Sequence, residues 1–319
     1  AEAPTDVLQE MAHLTAEIIC RTIFGRQLGR DYAAEVVESF TDYQRHIDQI
    51  DILSLLRLPD WIPRLRGRAI KRAVKRIDTV LEEIISSYES RAGGGETSVI
   101  GGLLDARDED GRPLSRQAIR NEAAVIFMAG HETTANTLAW AWFLLSQAPS
   151  VRDRLHAELD AVCPDRDPVF EDIARLPYTR AVIEETLRLY PPVPILAREA
   201  NRDDKIAGVA VPKGSIVMVV PWLLHRNPTL WERADHFEPE RFLGGARGGQ
   251  SKFGYVPFAI GPRICAGLSF GLTESVLSLA MLARAFDPQL EPGTDIQPVS
   301  RLTLRPGERL PMRLRPRGR

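Results

Sequence analysis

The chain has 319 residues, with 41 lysines and arginines against 43 aspartates and glutamates, which gives a formal net charge of −2. An apolar share of 44% and a charged share of 26% are typical of a globular protein, and they exclude a disordered or collagen-like chain. Three cysteines are too few for a disulfide framework, and the balanced charge gives no electrostatic reason to expect nucleic acid as a partner.

Helices are predicted throughout the first part of the chain. Apolar side chains recur on one helical face over residues 5–24, and Gly25 ends the pattern. Similar spacing predicts helices over residues 31–48, 68–91, 115–146, 150–162 and 178–189. The glycine-rich residues 92–96 predict a flexible break between two of them.

Proline and glycine punctuate the second part of the chain, where short alternating runs predict strands in small hairpins. These runs are residues 205–209, 215–220, 302–304 and 312–314, the last two flanking Pro306-Gly307. Residues 225–262 are irregular, and so long a stretch indicates either a functional loop or a misassigned element. Residues 266–285 predict one more helix. The predicted fold class is mainly α with minor β (α+β), in one domain over residues 1–319.

No segment of the chain is predicted to span a membrane. The longest apolar run, residues 216–224, is far too short to cross a bilayer, so we expect a cytoplasmic protein. The chain begins at Ala1 in what looks like a helix already under way. We interpret this as an N-terminal truncation, which leaves open whether an anchor precedes residue 1.

The strongest local signal is the run Phe258-Ala-Ile-Gly261-Pro-Arg263-Ile-Cys265-Ala-Gly267. Gly261 and Gly267 allow tight turns, and Cys265 precedes a predicted helix, whose N-terminal dipole favours a thiolate. Arg263 supplies a cation and Phe258 a flat apolar wall. These residue types suit a thiolate ligand beside a large, planar, anionic group such as haem. For a lone cysteine, a buried structural role is the ordinary alternative.

The full spacing F-x-x-G-x-R-x-C-x-G resembles the haem-binding signature of the cytochrome P450 family. Two more segments stand in the family's order: Glu185-Thr-Leu-Arg188 is similar to its Glu-x-x-Arg pair, and Arg241 lies in its Pro-Glu-Arg-Phe segment. The resemblance implies that Glu185, Arg188 and Arg241 form a buried ion cluster that holds the haem loop. Their expected role is structural rather than catalytic.

The sequence AGHETT, beginning at Ala129, is similar to the family's oxygen-binding motif. The resemblance implies that Ala129 and Gly130 lie against the porphyrin and that Gly130 leaves room for dioxygen. It assigns Thr133 as the hydrogen-bond partner of that oxygen and Glu132 to proton delivery. His131 fills the variable position, and it has no metal-site spacing, so we do not expect it to be a ligand.

The segment after the Glu-x-x-Arg helix resembles the family segment that passes the haem edge. On this resemblance, Arg198 is a second partner for a haem propionate. The substrate-facing residues implied are Val193, Ile195 and Leu196, with Leu302 from the end of the chain. For each of these apolar residues, ordinary core packing is the alternative.

As a whole, the resemblance implies a haem-thiolate monooxygenase with haem b held by the Cys265 thiolate. It would insert one atom of O2 into an apolar organic substrate. The chain shows no flavin, nicotinamide or iron–sulfur motif, so we expect electrons from an external ferredoxin or flavin reductase. The seven arginines of residues 301–319 indicate a solvated hairpin and tail, or a surface for an acidic redox partner.

Two alternatives stay open on sequence grounds. A peroxide-using or isomerising haem-thiolate enzyme would keep Cys265, but it would usually alter the pair Glu132 and Thr133. A non-catalytic haem-binding fragment is the other alternative, because the family's N-terminal helices and first strands have no counterpart in this chain.

Overall fold

The computed structural model describes residues 4–25, 32, 34–40, 42–43, 67–90, 98–245 and 252–318. Helices dominate these residues: α1 (Val7–Phe24), α2 (Gly67–Ser90), α3 (Val99–Asp105), α4 (Arg116–Gln147), α5 (Pro149–Val162), α6 (Pro177–Leu189), α7 (Pro221–Leu224) and α8 (Leu268–Ala285). Short 3₁₀ helices cover Phe170–Arg175, Pro239–Gly245 and Gly261–Arg263. This confirms the mainly α class.

The strands are short and pair in small antiparallel sheets. They are β1 (Thr5–Asp6), β2 (Leu196–Glu199), β3 (Asp204–Ile206), β4 (Val209–Val211), β5 (Ile216–Val219), β6 (Phe286–Leu290), β7 (Val299–Ser300), β8 (Leu304–Arg305) and β9 (Pro311–Pro316). One sheet has the order β1-β9-β6, and the pairs β2-β5, β3-β4 and β7-β8 form the others.

The predicted helices and the observed ones agree to within one or two residues where both are described. The first differs at its start, because Thr5 and Asp6 pair with β9 at Met312 and Pro311 and are therefore strand. Of the predicted helix 31–48, residues 32, 34–40 and 42–43 are helical, and the rest lies outside the described residues, as does the break at 92–96. The short helix α3 was not predicted.

The strand predictions were mostly right about location and partly wrong about pairing. The single run predicted over residues 205–209 is wrong, because β3 and β4 form a hairpin whose turn, with Ala207 and Gly208 in left-handed conformation, lies inside it. The predicted hairpin of 302–304 with 312–314 is wrong, since β8 pairs with β7 and β9 pairs with β6 and β1. Likewise, β5 pairs with β2, which was not predicted. β9 pairs with strands that are distant in sequence, whereas β8 pairs with the nearby β7 on the other side from the predicted turn.

The chain forms two compact units, each described here by itself. The first comprises Ala1–Val7, Asn136–Val299 and Thr303–Arg319, and the second comprises Leu8–Ala135 and Ser300–Leu302. In the first, α8 packs against α5 and α6. In the second, the core contains side chains of α1, α2 and the start of α4, among them Ile19, Ile84 and Phe127. The single domain expected from the sequence stays a prediction.

Helix α8 is the one described helix that is long and apolar enough, by length and composition, to cross a membrane. Its buried positions include Glu274, Ser275, Val276 and Leu279. Buried polar side chains therefore stand among the apolar ones along the side of α8 that packs in the first unit.

Candidate active site

The three cysteines differ in their surroundings. Cys20 and Cys163 are buried, whereas Cys265 is exposed. Burial, with the nearby Glu17 carboxylate, raises the pKa of Cys20 to about 12. The pKa of Cys163 is also raised, first by burial and then by its hydrogen bond to Asp172. Neither group favours the thiolate form, so Cys265 is the cysteine best placed to bind a metal.

The segment that carries Cys265, residues 258–267, is called the thiolate loop below. Its backbone is held by its own hydrogen bonds: Cys265 N–H donates to Phe258 O at 2.9 Å, and Ile264 N–H donates to Gly261 O at 3.0 Å. Gly261 has a φ of 76°, which a side chain rarely tolerates. The loop ends at Gly267, the N-cap of α8, and this places Cys265 near the positive end of the helix dipole.

The outer surface of the thiolate loop is apolar. Ile260 and Ile264 are 42% and 53% exposed on either side of the glycine turn, and Phe258 is half-buried. Arg263 is exposed and has no ion-pair partner among the described residues. A thiol, exposed aliphatic side chains and a guanidinium without a carboxylate partner are the groups that a haem with its propionates requires. The donor set therefore fits haem.

Glu185 and Arg188 lie on α6, one turn apart, and both side chains are 0% exposed. Arg188 Nε and Nη2 donate to the two carboxylate oxygens of Glu185 at 2.6 and 2.8 Å. The remaining guanidinium N–H groups donate to three backbone carbonyls, those of His225, Ala234 and His236, at 2.6 to 2.9 Å. All five donors of Arg188 are satisfied.

Arg241 lies close to Glu185, as the family resemblance implied. It also pairs with Glu238, which was not predicted. Its Nε lies 3.4 Å from Glu185 Oε1, but its closest ion pair is with Glu238, at 2.7 Å from Nη2. The Glu238 backbone N–H also donates to Glu185 Oε1 at 2.8 Å. We call Glu185, Arg188, Glu238 and Arg241 the ion cluster. Glu238 sits three residues before Arg241, and that spacing could have suggested it.

The AGHETT sequence lies in the middle of α4, and its last two residues differ in exposure. Ala129 is exposed and Thr133 half-buried, and both continue a line that begins at Val125, which is 61% exposed. The Thr133 hydroxyl donates to Ala129 O at 2.7 Å, one turn earlier. By contrast, Thr134 is 5% exposed. Thr133 therefore lies on an accessible side of the helix, and Thr134 on a buried side.

The other motif residues lie in the second unit, where His131 and Glu132 are buried and Gly130 is half-buried. His131 is buried and stacks on Phe127 with 5.2 Å between ring centroids. Glu132 is 4% exposed. A Cβ added to Gly130 would lie 2.8 Å from Ile19 Cδ1, so the glycine permits close packing of α1 against α4. Its predicted role in leaving room for dioxygen stays a prediction.

The predicted substrate-facing residues are accessible to differing degrees. Val193 and Leu196 are half-buried, Ile195 is 40% exposed, and Leu302 is 36% exposed. Arg198 is exposed on β2, where its Nη1 donates to the neighbouring carbonyl of residue 197 at 2.7 Å. It has no ion-pair partner among the described residues, so its charge is available to an anionic group.

The structure also brings together residues that the sequence did not single out. Asn136 is buried on α4, and its amide donates to the Thr303 hydroxyl at 2.7 Å. His225 is fully buried, and its ring accepts a hydrogen bond from the backbone of Val256. The partners are 167 and 31 residues apart. Neither pair leaves a local sequence signal.

Several arginines of the C-terminal segment already have acidic partners within the chain. Arg309 pairs with Asp6 at 3.3 Å, Arg313 with Glu291 at 2.7 Å, and Arg317 with Asp160 at 2.8 Å. This favours a solvated, internally paired segment over a surface that binds an acidic partner.

Comparison with known proteins gives one consistent family. The family model described as cytochrome P450 matches residues 1–310. The chain is 34% identical to cyclooctatin synthase of Streptomyces melanosporofaciens, over 100% of this chain and 69% of that protein. Among solved structures, the haem domain of cytochrome P450DA superposes with a TM-score of 0.85 at 27% identity, covering 99% of this chain and 69% of that one. Retinoic acid-bound cyanobacterial CYP120A1 gives 0.87 at 27%, covering 99% and 70%.

The fold shared with these proteins defines the class, that of haem-thiolate enzymes, in which a cysteine sulfur binds the haem iron. The chain belongs to the cytochrome P450 family. It is a haem-thiolate monooxygenase, and members of this family use O2 and electrons from a redox partner.

Proposed function

We propose that this monooxygenase inserts oxygen into an apolar organic substrate, with Cys265 as the thiolate ligand of haem b. The observation that carries the assignment is the exposed thiol of Cys265, held by a backbone hydrogen bond just before α8. The two other cysteines are buried, with pKa values raised by their surroundings.

The chain offers several groups to hold the haem. Arg263 and Arg198 are exposed cations without carboxylate partners among the described residues, so each suits a haem propionate. Phe258, Gly261 and Gly267 shape the thiolate loop around the ligand sulfur. By family resemblance, Ala129 and Gly130 of α4 are assigned to contact with the porphyrin.

When bound, the haem supplies activation of O2 and transfer of one oxygen atom, while the thiolate favours cleavage of the O–O bond. The protein's own contribution is proton control. The Thr133 hydroxyl lies on the accessible side of α4, and the family resemblance assigns it to hold a proton for the activation of oxygen. The family resemblance assigns Glu132, which is 4% exposed, to proton delivery through the protein interior.

The substrate is proposed to be apolar because the residues assigned to face it are aliphatic. Ile195 and Leu302 are accessible, and Val193 and Leu196 are half-buried. The cyanobacterial neighbour was solved with retinoic acid, and a largely hydrocarbon ligand of that kind suits aliphatic side chains. We also propose electron supply by a ferredoxin or flavin reductase, and a cytoplasmic location.

A carbon monoxide difference spectrum tests the ligand assignment. The ferrous protein should show the red-shifted Soret band of a thiolate-ligated carbonyl complex. Cys265→Ala and Cys265→His should abolish that band, and Cys20→Ala and Cys163→Ala should keep it. A Cys265→Ala variant that retains the band would overturn the assignment.

Turnover separates monooxygenase from peroxide-dependent chemistry. With a surrogate reductase, NADPH and ¹⁸O2, an apolar substrate should gain one ¹⁸O atom. Product formed only when hydrogen peroxide is added, and never with reductant and O2, would favour the peroxide-using alternative.

A further inference from the structure

His225 joins the ion cluster to the thiolate loop, and the sequence motifs assign it no role. It follows α7 directly and is 0% exposed. Its ring Nε2 accepts a hydrogen bond from the Val256 backbone N–H at 2.9 Å. A backbone N–H can only donate, so Nε2 must carry a lone pair, and the ring is neutral with its proton on Nδ1.

The backbone of the same residue is tied to the ion cluster. Arg188 Nη1 donates to the His225 carbonyl at 2.8 Å, and Arg188 itself is fixed by two hydrogen bonds to Glu185. The neighbouring Tyr255 hydroxyl donates to the Glu184 carbonyl of α6 at 2.9 Å. The backbone of His225 therefore binds the ion cluster through Arg188, and its side chain binds the segment that leads into the thiolate loop through Val256.

Two more hydrogen bonds lead from Val256 to the ligand. The Val256 carbonyl accepts from Ala259 N–H at 3.1 Å, in a turn where Ala259 has a φ of 57°. The Phe258 carbonyl inside that turn accepts from Cys265 N–H at 2.9 Å. Val256 therefore accepts from the turn through its carbonyl and donates to His225 through its N–H, so its position links the histidine to the turn that holds the acceptor of the Cys265 amide.

We infer that His225 is a positioning residue for the haem thiolate: its neutral imidazole couples the ion cluster to the thiolate loop, and its protonation releases the loop. The inference rests on the proposed assignment of Cys265 as the haem ligand. A protonated ring has no lone pair, so it would set an N–H donor against the Val256 N–H donor in a buried place. The sulfur would then lose its backbone support.

The groups around the ring oppose its protonation. Burial is the main cause that lowers the pKa of His225, to about 4, and the Arg188 and Arg226 guanidiniums lower it further. The backbone at Arg188 and Leu187 acts in the opposite direction. Tyr255 faces the ring at 5.4 Å between centroids. Of the nearby acids, Glu185 is paired with Arg188, and Asp235 lies 3.7 Å from Arg226.

The sign of the pH effect follows from these pKa values. An unfolded histidine has a pKa of about 6.5, and the folded one is lowered to about 4. The folded state therefore binds fewer protons between these values. The contribution of neutral His225 to the stability of the folded protein is therefore complete above about pH 6.5 and declines as the pH falls towards 4.

The experiment compares three histidine variants of the haem-loaded protein between pH 8 and pH 4. His225→Gln can accept through its amide oxygen but does not titrate, whereas His225→Leu offers no acceptor. His156→Gln is the matched control, because His156 is a partly buried histidine of α5 whose pKa is also lowered, chiefly by burial. The readouts are the ferrous carbonyl band and the rate of haem transfer to an excess of apomyoglobin.

We expect the parent and His156→Gln to lose the red-shifted band together on acidification, and His225→Gln to lose it at clearly lower pH. His225→Leu leaves a buried N–H unsatisfied, so its haem transfer at pH 7 should be roughly 5- to 150-fold faster than that of the parent. Parent and His225→Gln profiles that coincide would overturn the inference, as would unchanged haem transfer in His225→Leu.

Two further measurements keep the test decisive. If the variants fail to fold, hydrogen exchange of the Val256 amide in the parent decides: its protection should fall as the pH approaches 4, and constant protection would overturn the inference. Cys265→Ala is measured alongside. A red-shifted band in that variant would refute the ligand assignment itself, which is a different result from coinciding histidine profiles.

Discussion

In the ion cluster, Glu185 and Arg188 are 0% exposed, and all five guanidinium donors have acceptors within the chain. In the thiolate loop, Cys265, Ile260 and Ile264 are exposed, and the hydrogen bonds are those of the backbone with itself. A saturated, buried charge pair serves the fold, because water and ligands do not reach it. An accessible thiol with apolar neighbours is available for chemistry.

The largest expected effect comes from the same comparison of an accessible side chain with a buried one, made between Thr133 and Thr134 of α4. Thr133→Ala should keep haem and thiolate ligation, but it should direct reducing equivalents to hydrogen peroxide instead of product. A positioned proton-transfer group is typically worth roughly 10²- to 10⁴-fold in rate. The measurement is product and peroxide formed per NADPH consumed.

Thr134→Ala is the matched control for this prediction. The adjacent position points about 100° away around the helix, and Thr134 is only 5% exposed. Its coupling of reductant to product should stay near that of the parent. Equal coupling in Thr133→Ala and the parent would refute the role given to Thr133.

The next largest effect is expected in the ion cluster. Arg188→Leu leaves the Glu185 carboxylate buried without its partner, and this should lower the free energy of unfolding by about 3–5 kcal/mol. Urea unfolding measures the change. Arg313→Gln breaks an exposed ion pair with Glu291, so it should change the free energy of unfolding far less than Arg188→Leu does. Equal losses in the two variants would show that the cluster is not a structural centre.

The sequence predicted most of the helical fold, because amphipathic spacing and proline or glycine stops are local signals. The long helix α4 begins and ends within one residue of its predicted bounds. The strands show the limit. Thr5 pairs with Met312 across nearly the whole chain, and a two-residue strand has no periodicity to recognise. The turn at Pro306-Gly307 was a genuine local signal, but the strands on its two sides do not pair with each other: β8 pairs with the nearby β7, and β9 pairs with β6 and β1.

The same limit applies to the site. The family resemblance implied that Glu185, Arg188 and Arg241 are partners, and both arginines lie within 3.4 Å of the Glu185 carboxylate. His225 has no motif spacing, since its acceptor role depends on a peptide 31 residues away. Gly130 shows that a motif residue can also have a packing role. Its contact with Ile19 gives a packing reason for a glycine that the motif alone assigns to oxygen.

A smaller, pH-dependent effect is expected at a buried acid away from the thiolate loop. Arg166 donates to both carboxylate oxygens of Asp172 at 2.6 and 2.7 Å, and Val169 N–H donates at 2.9 Å. These hydrogen bonds, that of Arg166 first, hold the pKa of Asp172 well below its usual range.

The unfolded carboxyl therefore takes up a proton at higher pH than the folded one. The stabilisation from Asp172 is present above about pH 4, the ordinary value for Asp, and is lost as the pH falls below it. Asp172→Asn should make the thermal unfolding midpoint less dependent on pH between about 4 and 2 than in the parent. Parallel curves for the two proteins would contradict the assignment.

The central claim is that the ion cluster serves the fold and the thiolate loop serves the chemistry. It is tested most directly by measuring urea unfolding of the haem-free protein together with the ferrous carbonyl band of the haem-loaded protein. Cys265→Ala should unfold at the same urea concentration as the parent without haem, because its side chain is exposed, and should lose the band completely. Glu185→Gln should unfold at markedly lower urea, since it weakens a fully buried pair, and the fraction that still loads haem should keep the band. The reverse pattern, an unstable Cys265→Ala with its band intact or a fully stable Glu185→Gln without one, would contradict the account.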